Sequence, residues 1–73
     1  MKKKRTPTAM FGARLRRARL QKGLTQLQVA EHLMIDRTTY AKYEAGAVQP
    51  PLEGLYRLTR LLEVTADELI RPD

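Results

Sequence analysis

The sequence contains no cysteine, which excludes disulfide bonds, thiolate nucleophiles and cysteine-ligated metal sites. It contains no serine either, so a Ser-His-Asp triad cannot form. The single histidine, His32, has no second histidine with which to build a zincin-type metal pair, and we expect it at the surface. These absences predict a protein with no metal site, no cofactor and no enzymatic activity.

Long apolar runs are also missing. None approaches the roughly 18–20 residues that a membrane-spanning helix needs, and the basic N-terminus is not followed by the apolar stretch of a secretory signal. A chain of 73 residues has room for one domain with a small core. We therefore expect a single cytoplasmic domain that does not span a membrane.

Positive charge, by contrast, is abundant and unevenly distributed. The formal net charge is +6. Residues 2–42 contain eleven lysines and arginines against two acids, whereas residues 43–73 contain three against six. A concentrated row of cations matches the phosphate backbone of nucleic acid, although an anionic membrane surface attracts the same charge. Charge alone leaves both partners open.

Residues 1–8 predict a flexible basic arm ahead of a domain at residues 9–73. This arm carries consecutive cations and no apolar pattern that could pack. Its cations are Lys2, Lys3, Lys4 and Arg5. Such an arm either folds into a groove of a nucleic acid or stays free and steers the encounter with it.

Apolar periodicity predicts five helices and no strand. In the first helix Phe11, Leu15 and Ala18 recur at helical spacing. The fourth helix carries a stripe of leucines that we expect to be buried: Leu52, Leu55, Leu58 and Leu62. The predicted helices cover residues 9–22, 26–33, 37–45, 51–63 and 66–70.

Short polar residues and glycines mark the ends of these helices. Thr25 and Gln28 form a capping box at the start of the second helix. Asp36 is suited to cap the third helix, while Gly23 and Gly46 close the first and the third. Because only two or three residues separate the second and third helices, the two must cross at a steep angle.

Many of these residues fall into one longer pattern. It consists of GARLRRAR at 12–19, KGLTQ at 22–26, Ala30, Leu33, KYE at 42–44, Gly46, Pro50, Leu52 and VTADEL at 64–69. This pattern, which spans about residues 11–70, resembles the Cro and phage-repressor (XRE-like) helix-turn-helix family. The resemblance implies an all-α, compact five-helix lambda-repressor-like domain. It also implies double-stranded DNA as the partner, no membrane, and a homodimer at least on DNA.

In that family the third helix lies in the major groove, and residues near its start reach base edges. The resemblance therefore implies four base-reading candidates: Arg37, Thr38, Ala41 and Lys42. Arg37 and Lys42 can donate to guanine O6 and N7, so we expect at least one guanine in each half-site. The alternative is a solvated polar helix face.

A second set of side chains would contact phosphates, which set register without reading sequence. These candidates are Gln26, Thr39, Arg19, Arg14, Arg17 and Lys22, together with the arm. Gln26 resembles a family glutamine that hydrogen-bonds a phosphate. Since not all of these cations can face one backbone, Arg14, Arg17 and Lys22 have the alternative of being solvated.

The resemblance also implies structural roles. Arg19 and Glu44 match a salt bridge that in this family often ties the first helix to the end of the third. Ala30 matches the small residue where helices cross, and Tyr40 and Tyr43 match the positions that seat the third helix in the core. The same interactions would hold the third helix rigid.

Three positions depart from the family pattern. Met34 stands where a glycine is usual between the second and third helices, so either it accepts a left-handed backbone or the turn is built differently. Glu63 likewise replaces a glycine after the fourth helix. Asp36 replaces a serine or threonine, and because a carboxylate cannot donate to a phosphate, we expect it to serve the helix alone.

The pattern as a whole predicts a small transcriptional repressor that reads a palindromic operator through its third helix. Leu61, Ala66 and Ile70 are candidates for a dimer contact, with ordinary core or scattered exposure as the alternative. Two other functions remain open: an antitoxin or protein-interaction module on the same fold, and a non-specific nucleic-acid binder.

Overall fold

The computed structural model describes residues 7–71. It forms five helices and no strand, as predicted. The helices are α1 (Pro7–Gln21), α2 (Gln26–Leu33), α3 (Arg37–Ala45), α4 (Leu52–Leu62) and α5 (Ala66–Ile70). None of these described helices is long and apolar enough to cross a membrane.

The predicted bounds hold for α2, α3 and α5, and they differ for the other two helices. α1 begins at Pro7, two residues before the predicted start, because a proline needs no amide partner in a first turn. α4 is shorter than predicted, since Pro51 and Glu63 are its caps rather than its first and last residues. Of the predicted arm, residues 1–6 lie outside the described part of the chain.

Side-chain caps fix the starts of α2 and α3. Thr25 Oγ1 accepts from the Gln28 amide at 3.0 Å, and Gln28 Oε1 accepts from the Thr25 amide at 2.8 Å. Asp36 Oδ1 accepts from the Thr39 amide at 2.6 Å, and this bond holds the pKa of Asp36 below its usual value. The predicted capping box and N-cap are therefore confirmed, and they place the first residue of each helix.

A left-handed residue follows each of the helices α1 to α4, and two of these residues are not glycine. Met34 has φ 62° and ψ 40°, and its amide donates to the Ala30 and Glu31 carbonyls. Glu63 has φ 58°. Met34 thus accepts the left-handed backbone that a glycine usually supplies, so the break between α2 and α3 is a tight turn despite the substitution.

The core lies where α1 packs between α3 and α5, with α2 against α3 and α4. Its buried side chains are Phe11, Leu15, Ala18, Val29, Ala30, Leu33, Tyr40, Tyr43, Leu58, Leu62 and Leu69. Leu52 was expected in this set and is instead 82% exposed, because it is the first residue of α4 and lies beyond the core. Leu55 is partly buried against the core.

One contact between α1 and α3 requires a glycine. A Cβ added to Gly12 would lie 2.3 Å from the Glu44 carbonyl oxygen and 2.9 Å from that of Tyr43. The α1 backbone therefore rests directly on the end of α3. Gly54, on α4, is different: its added Cβ would lie no closer than 3.5 Å to Pro50, an ordinary contact.

We predict that Gly12→Ala lowers the free energy of unfolding by about 1–3 kcal/mol, since backbone atoms of α3 must move to admit the methyl group. Gly54→Ala is the matched control. It should raise stability by about 0.5–1 kcal/mol, because alanine costs less entropy in a helix and nothing blocks it. Urea denaturation of both variants measures this, and equal effects would contradict the close approach at Gly12.

Candidate nucleic-acid interface

The two faces of α3 have opposite character. Tyr40 and Tyr43 point inward and are buried, with their rings edge to face at 6.1 Å between centroids. Arg37, Thr38 and Lys42 are exposed on the other side. The left-handed turn at Met34 ends α2, so α3 is a distinct helix whose solvent-facing side is polar.

A nearly buried ion pair holds the end of α3 against α1. Arg19 Nε lies 2.6 Å from Glu44 Oε2, and Arg19 Nη2 lies 3.2 Å from Oε1. The remaining Arg19 contact is Nη1 to the Leu24 carbonyl at 2.8 Å. Arg19 is only 7% exposed and its guanidinium already bonds Glu44 and the Leu24 carbonyl, which favours its predicted structural role over the predicted phosphate contact.

Two further donors complete the shell of the Glu44 carboxylate. The Tyr40 hydroxyl donates to Oε2 at 2.6 Å, and Gln26 Nε2 donates to Oε1 at 3.0 Å. Although burial acts to raise the pKa of Glu44, the hydrogen bonds from Arg19, Tyr40 and Gln26 outweigh it and hold that pKa below its usual value. Burial raises the pKa of Tyr40, so its phenol stays protonated. Glu44 is therefore a buried anion with a donor for each lone-pair direction.

Gln26 connects this buried site to the exposed face of α3. Its side-chain oxygen accepts a hydrogen bond from Arg37 Nη1 at 3.1 Å, while its nitrogen faces Glu44. Neither the apolar periodicity nor the charge distribution of the sequence predicts this contact. The sequence feature that could have indicated it is a glutamine at the first residue of α2, Gln26, together with an arginine at the first residue of α3, Arg37.

The other cations proposed for phosphates lie elsewhere. Arg14 and Arg17 flank a shallow pocket between α1 and α5, and Arg14 donates to the Arg71 carbonyl. Lys22 Nζ lies 2.6 Å from Glu63 Oε1, after the end of α4. These three side chains are therefore not grouped with α3. Thr39 is half-buried beside Asp36, and its amide is already used by that cap.

The residues proposed for a dimer contact are also separated. Leu61 packs against the core, whereas Ala66 and Ile70 are exposed. A shallow groove between α4 and α5 includes Ala66 and adds residues that the sequence analysis missed. Its lining is Leu52, Glu53, Leu55, Tyr56, Thr59 and Ala66. Tyr56 is 60% exposed there, and the Arg60 guanidinium lies over its ring at 5.9 Å from the centroid.

No cluster of histidine, aspartate and glutamate within residues 7–71 is arranged to hold a metal ion. His32 is exposed near the end of α2, where it was expected.

Residues 15–69 match the family model described as helix-turn-helix. This chain belongs to the helix-turn-helix family of the Cro and phage-repressor type. This helix-turn-helix chain is 42% identical over 62 residues to YonR of Bacillus subtilis, an SPbeta prophage-derived uncharacterized HTH-type transcriptional regulator. The match covers 85% of this chain and 57% of YonR, so the chain spans little more than half the length of that relative.

Solved helix-turn-helix structures share the fold. The restriction-modification controller protein C.AhdI from Aeromonas hydrophila superposes with a TM-score of 0.76 at 32% identity, over 85% of this chain and 90% of that one. The P22 c2 repressor, crystallised with a synthetic operator, superposes with a TM-score of 0.81 at 22% identity. That likeness covers 88% of this chain and 97% of the repressor, and it supports the five-helix fold.

We predict that Glu44→Gln lowers the free energy of unfolding by about 3 kcal/mol at neutral pH, since Arg19 loses its counter-charge in a nearly buried site. Glu53→Gln, which removes an exposed i,i+4 pair with Arg57, is the control and should cost about 0–1 kcal/mol. Thermal or urea unfolding measures both. Similar losses in the two variants would contradict the special role of Glu44.

The effect of Glu44→Gln should depend on pH. The folded-state pKa of Glu44 is below its unfolded value, so its ionised form stabilises the protein above about pH 4 and loses that contribution as pH falls through the folded pKa. The stability gap between the wild type and Glu44→Gln should therefore narrow in acid. A gap that stays constant from neutral pH to strong acid would contradict the assignment.

Proposed function

We propose that this protein binds double-stranded DNA sequence-specifically, with α3 in the major groove. The observation that carries the proposal is the outward face of α3, where Arg37, Thr38 and Lys42 are exposed while the opposite face is held by buried tyrosines. Arginine and lysine donate to guanine O6 and N7, and a threonine methyl can contact thymine. Membership of the helix-turn-helix family supports the same reading.

The biological role we infer is regulation of transcription, by repression at a palindromic operator. YonR, to which the chain is similar, is named an uncharacterized HTH-type transcriptional regulator, and the P22 c2 repressor was crystallised with a synthetic operator. The excess of cations in residues 2–42 supplies the sequence-independent attraction to phosphates on which such proteins depend.

Selection of bound duplexes from a random pool at about 0.15 M salt tests sequence recognition. The wild type should enrich one motif with at least one guanine per half-site. Arg37→Ala should lose about 1–3 kcal/mol of binding free energy and relax the preference at one base pair. Arg57→Ala, at an exposed cation on α4, is the control and should leave the motif unchanged. A pool with no enriched sequence would contradict the proposal in favour of non-specific binding.

We further infer that two copies associate through the groove between α4 and α5. This groove leaves α3 free, because it is built from helices that do not carry the reading face. Leu52 and Tyr56 place large apolar surface there, and a two-fold operator is read by two copies about 34 Å apart. A second copy of the chain would both cover the exposed apolar surface of the groove and supply the second reading helix that a two-fold operator needs.

We predict that Tyr56→Gln weakens self-association and lowers affinity for a two-half-site operator by about tenfold or more, since a buried tyrosine at an interface centre is worth about 2 kcal/mol. Affinity for a single half-site should not change. Leu20→Gln is the matched control, because Leu20 is an exposed apolar residue on α1 and outside the groove. Sedimentation and operator titration measure these effects. Unchanged two-site affinity in Tyr56→Gln would rule out this face.

A further inference from the structure

We propose that the pocket between α1 and α5 binds phosphate, as the free ion or as the phosphate group of a compact monoester. Three guanidinium groups line this pocket, those of Arg14, Arg17 and Arg71, together with one carboxylate, that of Glu68. The pocket lies apart from the face of α3 that we propose for DNA. The inference therefore goes beyond the proposed function and does not depend on it.

The pocket is on the side of α1 that faces away from α3. Successive residues of an α-helix are about 100° apart around its axis, so residues two apart lie on nearly opposite sides. Arg14 is two residues from Gly12, whose backbone touches the end of α3. Arg17 is two residues from Arg19, which pairs with Glu44 on α3. Arg14 and Arg17 are therefore directed towards α5 and away from the proposed DNA surface.

Arg17 supplies hydrogen-bond donors that the fold does not use. Its side chain is exposed, and it forms no hydrogen bond or ion pair with any residue from 7 to 71. A guanidinium has five N–H donors in a planar fork that matches two oxygens of a phosphate. Because Arg17 also lines a concave surface, its donors are available to an anion bound there.

The other two arginines are held at the pocket by contacts within the fold. Arg14 Nη1 donates to the Arg71 carbonyl, which joins α1 to the residue after α5. Arg14 contributes its charge in particular, since a guanidinium is not deprotonated in a protein. Arg71 Nη2 lies 3.2 Å from Asp67 Oδ2 in an exposed i,i+4 pair. Such a pair contributes little in water, so Arg71 can also turn to a phosphate oxygen.

The charge of the lining matches a dianion. Three arginines and one glutamate, with three positive charges and one negative, give a net charge of +2. A phosphate monoester carries about −1.5 to −2 at neutral pH and offers three acceptor oxygens, whereas a carboxylate carries a single charge. The Glu68 carboxylate accepts from the Thr65 hydroxyl at 3.3 Å, at the start of α5. The positive charge is therefore concentrated at the other end of α5, where Arg71 lies.

The size of the pocket limits the rest of the ligand. Its volume is about 300 Å³, which is at the lower end of the range for small-molecule sites. Part of its lining is apolar and consists of Ala18, Val64 and Leu69, of which Ala18 and Leu69 belong to the buried core. A phosphate held by the arginines can thus carry a compact organic group, whereas a peptide of several residues is too large.

Calorimetric titration at about 0.15 M salt, where general attraction between exposed charges is screened, tests the proposal. The probes are inorganic phosphate, adenosine 5′-monophosphate and adenosine. We expect the wild type to bind both phosphate compounds and not adenosine. Tighter binding of the nucleotide would support a monoester as the ligand, and equal binding would support the free ion.

We expect Arg17→Gln to weaken binding of both phosphate compounds about tenfold or more, the loss typical of a hydrogen bond to a charged group. Arg16→Gln is the matched control, because it removes the same charge from the adjacent exposed residue, which is outside the pocket. Its affinity should change by less than about twofold. Glu68→Gln removes a like charge and should strengthen binding about two- to fivefold. Thermal unfolding confirms that each variant is folded.

Amide NMR of the labelled protein locates the bound anion. We expect saturable shifts at Ala18, Val64 and Leu69 while α3 stays unchanged. Shifts along α3 instead would place the anion on the proposed DNA surface and overturn the proposal. The absence of saturable binding of both phosphate compounds would overturn it as well. So would equal weakening in Arg17→Gln and Arg16→Gln, which would indicate attraction by net charge alone.

Discussion

The position of α3 depends on one buried carboxylate. Glu44 lies at the end of that helix and accepts hydrogen bonds from α1, through Arg19, and from α2, through Gln26. An uncompensated anion in this place would be costly, so its donors must stay where they are. Gly12 allows the α1 backbone to touch the same end of α3. Three helices are thereby fixed around one group, and the exposed face of α3 is held in a constant direction.

The net charge of the protein says less about DNA recognition than the positions of its charged side chains do. Arg19 is buried, Arg14 and Arg17 lie towards α5, and Lys22 pairs with Glu63. The cations that α3 itself exposes, Arg37 and Lys42, are few. Specific recognition would then depend on a small number of well-held donors, with the rest of the positive charge contributing general attraction to DNA.

Local signals predicted the fold well because they act over three or four residues. The cap of α2 lies within one turn of the chain, so its start was placed to the residue. Apolar periodicity could not show at which residue the leucine stripe of α4 extends beyond the core, so the prediction that Leu52 is buried was wrong. The sequence suggested both a structural and a phosphate-binding role for Arg19, and only its burial favours the structural one. The bond from Arg37 to Gln26 joins residues eleven positions apart on two helices, which no local pattern encodes.

An amide NMR titration of the labelled protein with its selected operator tests most directly whether α3 is the surface that contacts DNA. The largest shifts are expected at the starts of α2 and α3, including Gln26 and Arg37, and along the exposed face to Lys42. Smaller shifts are expected at Arg14 and Arg17. Shifts concentrated between α1 and α5, with α3 unchanged, would contradict the claim that α3 is the reading surface.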